Sequence, residues 1–254
     1  MVYQGSKNKI SKYLKPIIES YLKDGMWYVE PFVGGANMID KIDWDKKCGF
    51  DNNKYLIALH KKAQETELPL LNTSREAYNI YRDKYNKAEI NNNDDEYLIG
   101  YYGFLGSFNG RFYSGGYGAV DKHGKNMMLQ RLNNLNKQAK NKNYKNIIFE
   151  VKDFKDLKIK NSVIYLDPPY QNTKEYQNKF NHNELLEKCK EWANNNNIIL
   201  LSELTASSEY WEEIWNMEHQ YTLRDKNNAN KKVVERLYIW KTNIIPEAAY
   251  QKNY

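Results

Sequence analysis

The sequence contains only two cysteines in 254 residues, Cys48 and Cys189, and they lie far apart. Neither belongs to a CxxC pair and no histidines are spaced as paired ligands, which excludes zinc ribbons, disulfide scaffolds and iron–sulfur sites. No stretch approaches the roughly 18 to 20 apolar residues of a membrane helix, and the first residues lack the continuous apolar core of a signal peptide. We therefore expect a cytoplasmic protein with no membrane partner and no bound metal ion.

A strong excess of one charge is also lacking. The chain has 38 Lys and Arg residues against 32 Asp and Glu residues, which gives a formal net charge of +6. This mild excess suits a polyanionic partner but is common among unrelated proteins, so it carries little weight alone. The length is enough to bury a core and to form one large domain, or one domain that carries a smaller insertion.

Short apolar runs alternate with amphipathic stretches at both ends of the chain. Strands are predicted at residues 26–30, 48–51, 147–151, 163–166 and 198–201, around Tyr221 and at 233–240, and helices at 10–22, 55–62, 184–192 and 209–215. Such alternation favours a parallel, doubly wound α/β sheet. Ligands of these sheets bind beyond the carboxyl ends of the strands, where four acidic residues are expected: Glu30, Asp51, Asp153 and Asp167.

Residues 60–145 differ in composition from both ends of the chain, with frequent Tyr, Arg and Lys and with glycines clustered between 103 and 118. We interpret this part as an insertion, so the predicted domains are residues 1–59, 60–145 and 146–254. Within it, residues 106–118 are predicted to form an extended hairpin with turns at Asn109-Gly110 and Gly115-Gly116. Five side chains are expected to be exposed or half-buried around these turns: Phe108, Arg111, Phe112, Tyr113 and Tyr117.

The sharpest signal is the tetrapeptide Asp167-Pro168-Pro169-Tyr170 at the end of a predicted strand. Proline has no backbone N–H, so this loop offers carbonyl acceptors and a carboxylate to a group that donates two N–H bonds. The exocyclic amine of a nucleobase is such a group, because Asp167 can accept one N–H and the Pro168 carbonyl the other. Tyr170 offers a flat face on which an extruded base can stack. The alternative interpretation is a proline-rich turn that binds nothing.

A second loop follows the predicted strand that ends at Glu30 and contains Gly34-Gly35. Glycines in this place allow a ligand to approach the backbone closely. The spacing fits neither GxGxxG nor the GxxxxGK[ST] phosphate loop, so a phosphate cradle is not predicted. A nucleoside whose ribose hydroxyls need an acceptor fits better, and Asp51 at the next strand end supplies that acceptor.

Together these features resemble the Dam-like, or D12-class, DNA N6-adenine methyltransferases over nearly the whole chain. That family has a Gly/Lys segment, a Pro-Phe-x-Gly loop, a recognition insert and an Asp-Pro-Pro-Tyr tetrapeptide, and this chain shows them in the same order at residues 3–7, 30–36, 60–145 and 167–170. The resemblance implies a Rossmann-like methyltransferase sheet that uses S-adenosylmethionine, with an inserted, mainly helical DNA-recognition domain carrying a hairpin. It also implies methyl transfer to N6 of a flipped-out adenine in double-stranded DNA.

The resemblance assigns roles to residues of both loops. Asp167, Pro168 and Tyr170 are expected to form the target-base pocket. Two aromatic residues, Tyr176 and Phe180, are expected either to close over the flipped base or to pack within the fold. The residues expected to border S-adenosylmethionine are Tyr3, Lys7, Phe32, Gly34, Asp51, Asp153 and Phe154.

For DNA recognition, Asn109 and Arg111 are the predicted base-edge contacts, because Asn pairs bidentately with adenine and Arg with guanine in the major groove. For any single lysine, a solvated surface role is the more common one. A cognate restriction endonuclease is a candidate partner, the expected origin is bacterial or phage, and we expect a monomer. Phosphate contacts are predicted for basic residues of the insert: Arg75, Lys84, Lys122, Lys125 and Arg131.

Two other functions remain open. N4-cytosine methylation would use the same acceptors, because cytosine also carries an exocyclic amine. A catalytically inactive DNA-binding relative would keep the fold, although the intact Asp51 and Asp167 argue for activity. Protein glutamine methylation would favour Asn in place of Asp167. A covalent route through cysteine is disfavoured, because neither Cys48 nor Cys189 follows a proline or lies in a glycine-rich segment.

Overall fold

The computed structural model describes residues 1–90, 92–169, 180–224 and 230–243. The chain has a mixed α/β fold with a seven-stranded sheet. The strands in the described ranges are β1 (Trp27–Glu30), β2 (Lys47–Asp51), β3 (Ile147–Val151), β4 (Ser162–Leu166), β5 (Ile198–Glu203), β6 (Trp211–Arg224) and β7 (Asn230–Trp240). The α-helices there are α1 (Ser11–Ser20), α2 (Lys54–Glu65), α3 (Arg75–Lys87), α4 (Asn93–Gly100), α5 (Met127–Ala139), α6 (Lys142–Lys145) and α7 (His182–Ala193).

The chain divides into two compact units, each built from two stretches: Met1–Lys15 with Val33–Asp153, and Pro16–Phe32 with Phe154–Tyr254. The domain boundaries predicted from composition, at residues 60 and 145, stay a prediction, as does the recognition role of the insert. None of the helices in the described ranges is both long and apolar enough to cross a membrane.

The first unit contains the parallel pair β2 and β3, in which Lys47 lies opposite Ile147 and Asp51 opposite Val151. Helices α2 to α6 belong to the same unit. Each of them begins at a side-chain oxygen that accepts hydrogen bonds from the N–H groups of the first turn, which stabilises a helix start. The capping residues are Asn53, Ser74, Asn92, Asn126 and Asn141. The many asparagines of the chain thus have a local structural role at four of these five helix starts.

In the second unit the strand order is β1-β4-β5-β7-β6. Strands β1, β4 and β5 are parallel, with Val163 of β4 opposite both Tyr28 of β1 and Ile198 of β5. All five residues of β4 are buried, which explains its apolar sequence. Strand β7 pairs antiparallel with both β5 and β6. The parallel arrangement predicted from the sequence is therefore present for β1, β4 and β5 but not at this edge, so the sheet is mixed.

One predicted helix is a strand. Residues 209–215 carry apolar residues at a helical spacing, but Trp211 begins β6 and lies opposite Trp240 of β7. The pairing shifts register between Glu213 and Trp215. Because such an irregularity breaks the alternation of inward and outward side chains, the sequence does not show the strand period here. All the predicted strands and the other three predicted helices are present.

Residues 106–118, which the structure describes in full, do not form the predicted extended hairpin. One antiparallel bridge joins Ser107 and Tyr117, and a short 3-10 helix (Phe108–Gly110) and a turn at residues 112–115 occupy most of the segment between them. Both predicted turns are present, with φ of 53° at Asn109, 67° at Gly110 and 69° at Gly116. The predicted exposure is confirmed, because Phe108 is exposed and four other residues are half-buried: Arg111, Phe112, Tyr113 and Tyr117.

Aromatic packing explains the compact shape of this segment. A Cβ atom at Gly103 would lie 2.4 Å from the Phe112 ring, so Phe112 lies directly against that glycine. The same ring contacts Phe104 at a centroid distance of 4.9 Å and Tyr55 at 5.7 Å. Side chains of the segment are thereby drawn inward, which leaves few residues free to extend a two-stranded ladder.

Candidate active site

The glycine loop, defined as residues 33–36, is fixed at both backbone groups of its first glycine. The Gly34 N–H donates to Asp51 Oδ2 at 3.3 Å. The Gly34 carbonyl lies 2.7 Å from His60 Nε2, within hydrogen-bond distance. Gly34 has a φ of 46°, in the left-handed region that favours glycine. The orientation of the loop therefore depends on contacts from β2 and from α2.

Tyr3 covers one side of the glycine loop. A Cβ atom at Gly34 would lie 2.7 Å from Tyr3 Cε1, and one at Gly35 would lie 2.7 Å from Tyr3 Cβ. Both distances are shorter than real Cβ contacts, so only glycine lets Tyr3 approach the backbone this closely. The half-buried Tyr3 ring also stacks on Phe104 at a centroid distance of 5.9 Å. The structure thus brings together two residues predicted at the cofactor site, Tyr3 and Gly34.

Asp51 is the third predicted residue at this place. Its Oδ1 accepts the Asn53 N–H at 2.9 Å and its Oδ2 accepts the Gly34 N–H at 3.3 Å. Burial raises the pKa of Asp51 to about 6, against the opposing effect of these backbone N–H groups. The carboxyl group is therefore ionised at neutral pH. Each carboxylate oxygen retains a further lone pair with which it could accept a ribose hydroxyl.

Two other predicted cofactor residues lie in the same unit. Lys7 is buried, and its Nζ donates to the Gly5 carbonyl at 3.3 Å. Asp153 is half-buried and follows β3. Just before it, the Lys152 N–H donates to the Asp51 carbonyl at 3.1 Å, which extends the β2–β3 pairing to the strand ends. The carboxyl ends of β2 and β3 thus present acidic residues at one edge, as the sequence predicts.

In the second unit, three phenylalanines from separate parts of the sequence form an aromatic cluster. Phe32 lies 5.3 Å from Phe154 and 5.5 Å from Phe180 between ring centroids, and Phe154 lies 5.5 Å from Phe180. Phe32 and Phe154, both predicted at the cofactor site, are therefore in contact. The contacts of Phe180 favour its packing role. Tyr176 lies outside the described residues.

The target-base loop, defined here as residues 167–169, follows the buried strand β4. Asp167 is half-buried and Pro168 is buried, whereas Tyr170 lies outside the described residues. Tyr165 and Tyr28 belong to the same unit, and burial raises the pKa of both hydroxyls well above the usual value. The next cause is the charge of Asp167 at Tyr165 and that of Glu30 at Tyr28, where Glu30 Oε1 accepts the Tyr28 hydroxyl at 2.7 Å. Both tyrosine hydroxyls therefore stay neutral at ordinary pH.

The candidates for DNA contact differ in exposure. Asn109 and Lys122 are exposed and Arg111 is half-buried, so all three present side chains to solvent. Arg131 is 5% exposed, and its Nη1 donates to the carbonyls of Leu105 and Gly118 at 2.7 and 3.0 Å. Burial lowers the pKa of its guanidinium. These bonds argue against the phosphate contact predicted for Arg131, because they hold the charged group inside the unit.

Sequence reasoning missed two residues that fix the glycine loop. His60 contacts the Gly34 carbonyl, as described above. Gln138 Nε2 donates to the carbonyls of Gly35 and Ala36 at 3.2 and 2.9 Å. The apolar spacing of α2 and α5 indicates which helix faces are buried, but it does not indicate which polar residue on that face reaches the loop.

Both cysteines lie in environments that disfavour the thiolate. Burial raises the pKa of Cys48 to about 12 and also raises that of Cys189, so both are thiols at neutral pH. This supports a mechanism without a cysteine nucleophile. In the described ranges, no group of three or more His, Cys, Asp or Glu side chains is placed to hold a metal ion.

Comparison with known proteins identifies the family. The model for the D12 class N6 adenine-specific DNA methyltransferases matches residues 3–228. No curated protein matches the chain. One solved structure with similarity is described as "crystal structure of a putative RNA methyltransferase PH1948 from Pyrococcus horikoshii", with 14% identity, a TM-score of 0.27, and coverage of 48% of this chain and 59% of that one. Because the family match spans most of the sequence, the chain belongs to the D12 class N6 adenine-specific DNA methyltransferases, a family of enzymes.

Proposed function

We propose that this protein transfers a methyl group from S-adenosylmethionine to N6 of an adenine that is flipped out of double-stranded DNA. The observation that carries the proposal is the target-base loop, in which a carboxylate and a proline carbonyl follow a fully buried strand. Asp167 and Pro168 offer two acceptors, and Pro168 has no backbone N–H that would compete for them. An amino group with two N–H bonds matches this pair.

The glycine loop and its surroundings fit the methyl donor. S-adenosylmethionine supplies an electrophilic methyl group on a sulfonium sulfur. Asp51 accepts the ribose hydroxyls, for which an ionised carboxylate is the strongest acceptor. Gly34 and Gly35 let Tyr3, which is expected to border the donor, lie directly against the loop backbone. As the family resemblance implies, Phe154 is proposed to flank the adenine of the donor and Phe32 to line its methionine end; the two rings are in contact.

The target-base loop orients the nucleophile. When Asp167 and the Pro168 carbonyl accept the two N6 hydrogens, the nitrogen lone pair is turned out of the ring plane and towards the methyl group. Such positioning supplies most of the acceleration, because the methyl donor is already activated. As the bond between N6 and the methyl carbon forms, the bond between that carbon and the sulfonium sulfur breaks, and S-adenosylhomocysteine is the leaving group. N6 then carries one proton too many, which the Asp167 carboxylate is proposed to accept. Tyr170 is proposed to stack on the extruded base.

We propose that the insert, residues 60–145, recognises DNA. We propose that Asn109 and Arg111 contact base edges and that Lys122 contacts a phosphate. Each is at least partly exposed, which supports this assignment. The +6 net charge is consistent with a polyanionic substrate. A monomer that acts in the cytoplasm, alone or beside a restriction endonuclease of the same specificity, fits this activity.

The test is an assay with purified protein, double-stranded DNA and S-adenosylmethionine that carries an isotope-labelled methyl group. Mass spectrometry of the digested nucleosides should find the label in N6-methyladenine. Label in N4-methylcytosine instead would replace adenine by cytosine as target, and cofactor binding without any transfer would identify an inactive DNA-binding relative. Sequencing that detects methylated bases, on DNA from cells that express the protein, then gives the recognition sequence.

A further inference from the structure

His60 uses both ring nitrogens inside the first unit. It is fully buried, with Nε2 2.7 Å from the Gly34 carbonyl and Nδ1 2.7 Å from the Tyr144 hydroxyl. Its ring stacks on Phe149 at a centroid distance of 4.6 Å and an interplanar angle of 8°. This geometry leaves the imidazole no freedom to rotate.

Chemistry fixes the tautomer. A carbonyl oxygen can only accept, so Nε2 must carry the proton that is donated to Gly34. Nδ1 then has a lone pair, which accepts the Tyr144 hydroxyl proton. Burial lowers the pKa of His60 to about 4, so the ring is neutral under ordinary conditions. A chain of two hydrogen bonds therefore runs from Tyr144 through His60 to the backbone of the glycine loop.

Both backbone groups of Gly34 take part in hydrogen bonds. The Gly34 N–H is already bound to Asp51, so the two bonds hold the peptide groups on both sides of the Gly34 Cα atom. Gln138 holds the next two carbonyls, those of Gly35 and Ala36. Asp51, which is fixed by the same Gly34, is the proposed acceptor of the ribose hydroxyls.

We propose that His60, oriented by Tyr144, is a positioning residue that sets the affinity of the glycine loop for S-adenosylmethionine. This inference rests on the proposed function, because it assumes that the glycine loop binds the methyl donor. A residue that only stabilised the core would not be expected to affect the binding of one ligand selectively. Loss of the Gly34 contact should weaken binding of the methyl donor selectively, with little effect on DNA.

The decisive pair of variants is His60→Leu and His60→Gln. Leucine removes both ring nitrogens, whereas the glutamine side chain can place an amide N–H near the position of Nε2. Calorimetry with S-adenosylmethionine should give a dissociation constant about tenfold higher for His60→Leu and within about threefold of the wild type for His60→Gln. The KM for DNA should change less than about twofold in both, since no DNA contact is altered.

Tyr144→Phe tests the hydrogen bond between Tyr144 and His60 with a smaller change, because it removes one hydroxyl and keeps the ring. We expect about a threefold rise in the dissociation constant of S-adenosylmethionine. The matched control is Tyr101→Phe, which removes another buried hydroxyl of the same unit, one that donates to the Pro69 carbonyl at 2.8 Å. This control should leave the affinity unchanged, even if its thermal midpoint falls as far as that of Tyr144→Phe.

Two results would overturn the inference. One is unchanged affinity for S-adenosylmethionine in folded His60→Leu and Tyr144→Phe; the other is an equal rise in the KM values for S-adenosylmethionine and DNA. If His60→Leu does not fold, Tyr144→Phe against Tyr101→Phe decides the matter. A wild-type protein that does not bind S-adenosylmethionine would instead refute the proposed function, so the two failures are distinguishable.

Discussion

The glycine loop of the first unit and the target-base loop of the second are shaped in different ways. The backbone of the glycine loop is held by side chains from remote elements: Asp51 at the end of β2, His60 on α2 and Gln138 on α5. The target-base loop is restrained by its own covalent structure, because Pro168 and Pro169 fix φ and lack N–H groups. The first loop depends on tertiary contacts, and the second depends mainly on its sequence.

The two loops should therefore respond differently to substitution. A change in the glycine loop should alter how well the methyl donor binds, and often how stable the unit is, because loop and unit share hydrogen bonds. A change at Asp167 should alter the chemical step and little else. Substitutions in the two loops therefore test whether binding and catalysis are separable in this protein.

The largest effect is expected at the target-base loop. Asp167→Ala removes the carboxylate that is proposed to orient N6, so the methylation rate should fall by at least about 1,000-fold. The dissociation constant of S-adenosylmethionine should stay within about tenfold of the wild type, because the proposed ribose acceptor is Asp51. Single-turnover methylation and calorimetry measure the two quantities. Asp156→Ala, an exposed acid of the same unit, is the control and should leave both unchanged. Near-normal turnover in Asp167→Ala would remove this residue from the mechanism.

The glycine loop should respond to an added methyl group. In Gly34→Ala the new Cβ would lie 2.7 Å from Tyr3 Cε1, at a φ of 46°, so Tyr3 must move away. We expect a loss of about 1 to 3 kcal/mol in the free energy of unfolding and about a 30-fold loss of affinity for S-adenosylmethionine. Gly124→Ala has a similarly positive φ, 79°, but open space around it. Gly124→Ala should therefore lose stability through backbone strain but keep its affinity for S-adenosylmethionine. An equal loss of affinity in both variants would contradict a specific role of the glycine loop in binding the methyl donor.

Asp51 should make binding of the methyl donor depend on pH. Its pKa is raised to about 6, so lowering the pH from 7 to 5 protonates the carboxyl group and removes the charged acceptor. If only the ionised form binds, the dissociation constant rises about tenfold at pH 5 and levels off above pH 7. Asp51→Asn should bind weakly at every pH and show no such slope. A wild-type curve that is flat between pH 5 and pH 8 would contradict the assignment.

The same contrast explains what could be predicted from the sequence. Asp167 and its prolines, Gly34 and Asp51 are recognisable because each stands at the end of a short apolar run, and local order is enough to place them. His60 and Gln138 are not recognisable. They reach the loop across separations of 26 and 103 residues, and only the packed fold brings them there.

Errors in the sequence-based predictions have the same origin. Whether residues 209–215 form a helix or a strand depends on pairing with β7, which the local spacing of Trp211 and Trp215 does not reveal. Arg131 appears in the sequence as one more basic residue, yet its guanidinium is used by two carbonyls of its own unit. Tertiary partners decide both cases.

A smaller effect is expected at the proposed base-edge contacts, Arg111 and Asn109. The wild type should prefer its recognition sequence over a sequence in which one guanine is replaced, and Arg111→Ala should reduce this preference about fivefold. This value is at the lower end for a bidentate contact, because the Arg111 side chain is only half exposed. Methylation of a randomised duplex pool, followed by sequencing, measures this preference. Asn109→Ala should relax a different position, one that contains adenine. Selectivity that is unchanged in both variants would assign base readout to another part of the chain.

The smallest effect separates exposed from buried cations of the insert. Lys122→Gln should weaken DNA binding two- to threefold and reduce the slope of log affinity against log salt by about 1, because one phosphate contact is lost. Arg131→Met should leave that slope unchanged and lower the free energy of unfolding by about 1 to 3 kcal/mol, since the carbonyls of Leu105 and Gly118 lose their donor. Salt titrations of DNA binding and denaturant unfolding measure the two variants side by side. The reverse pattern would mean that the buried guanidinium, rather than the exposed lysine, meets the DNA, and this would require Arg131 to leave its carbonyl partners on binding.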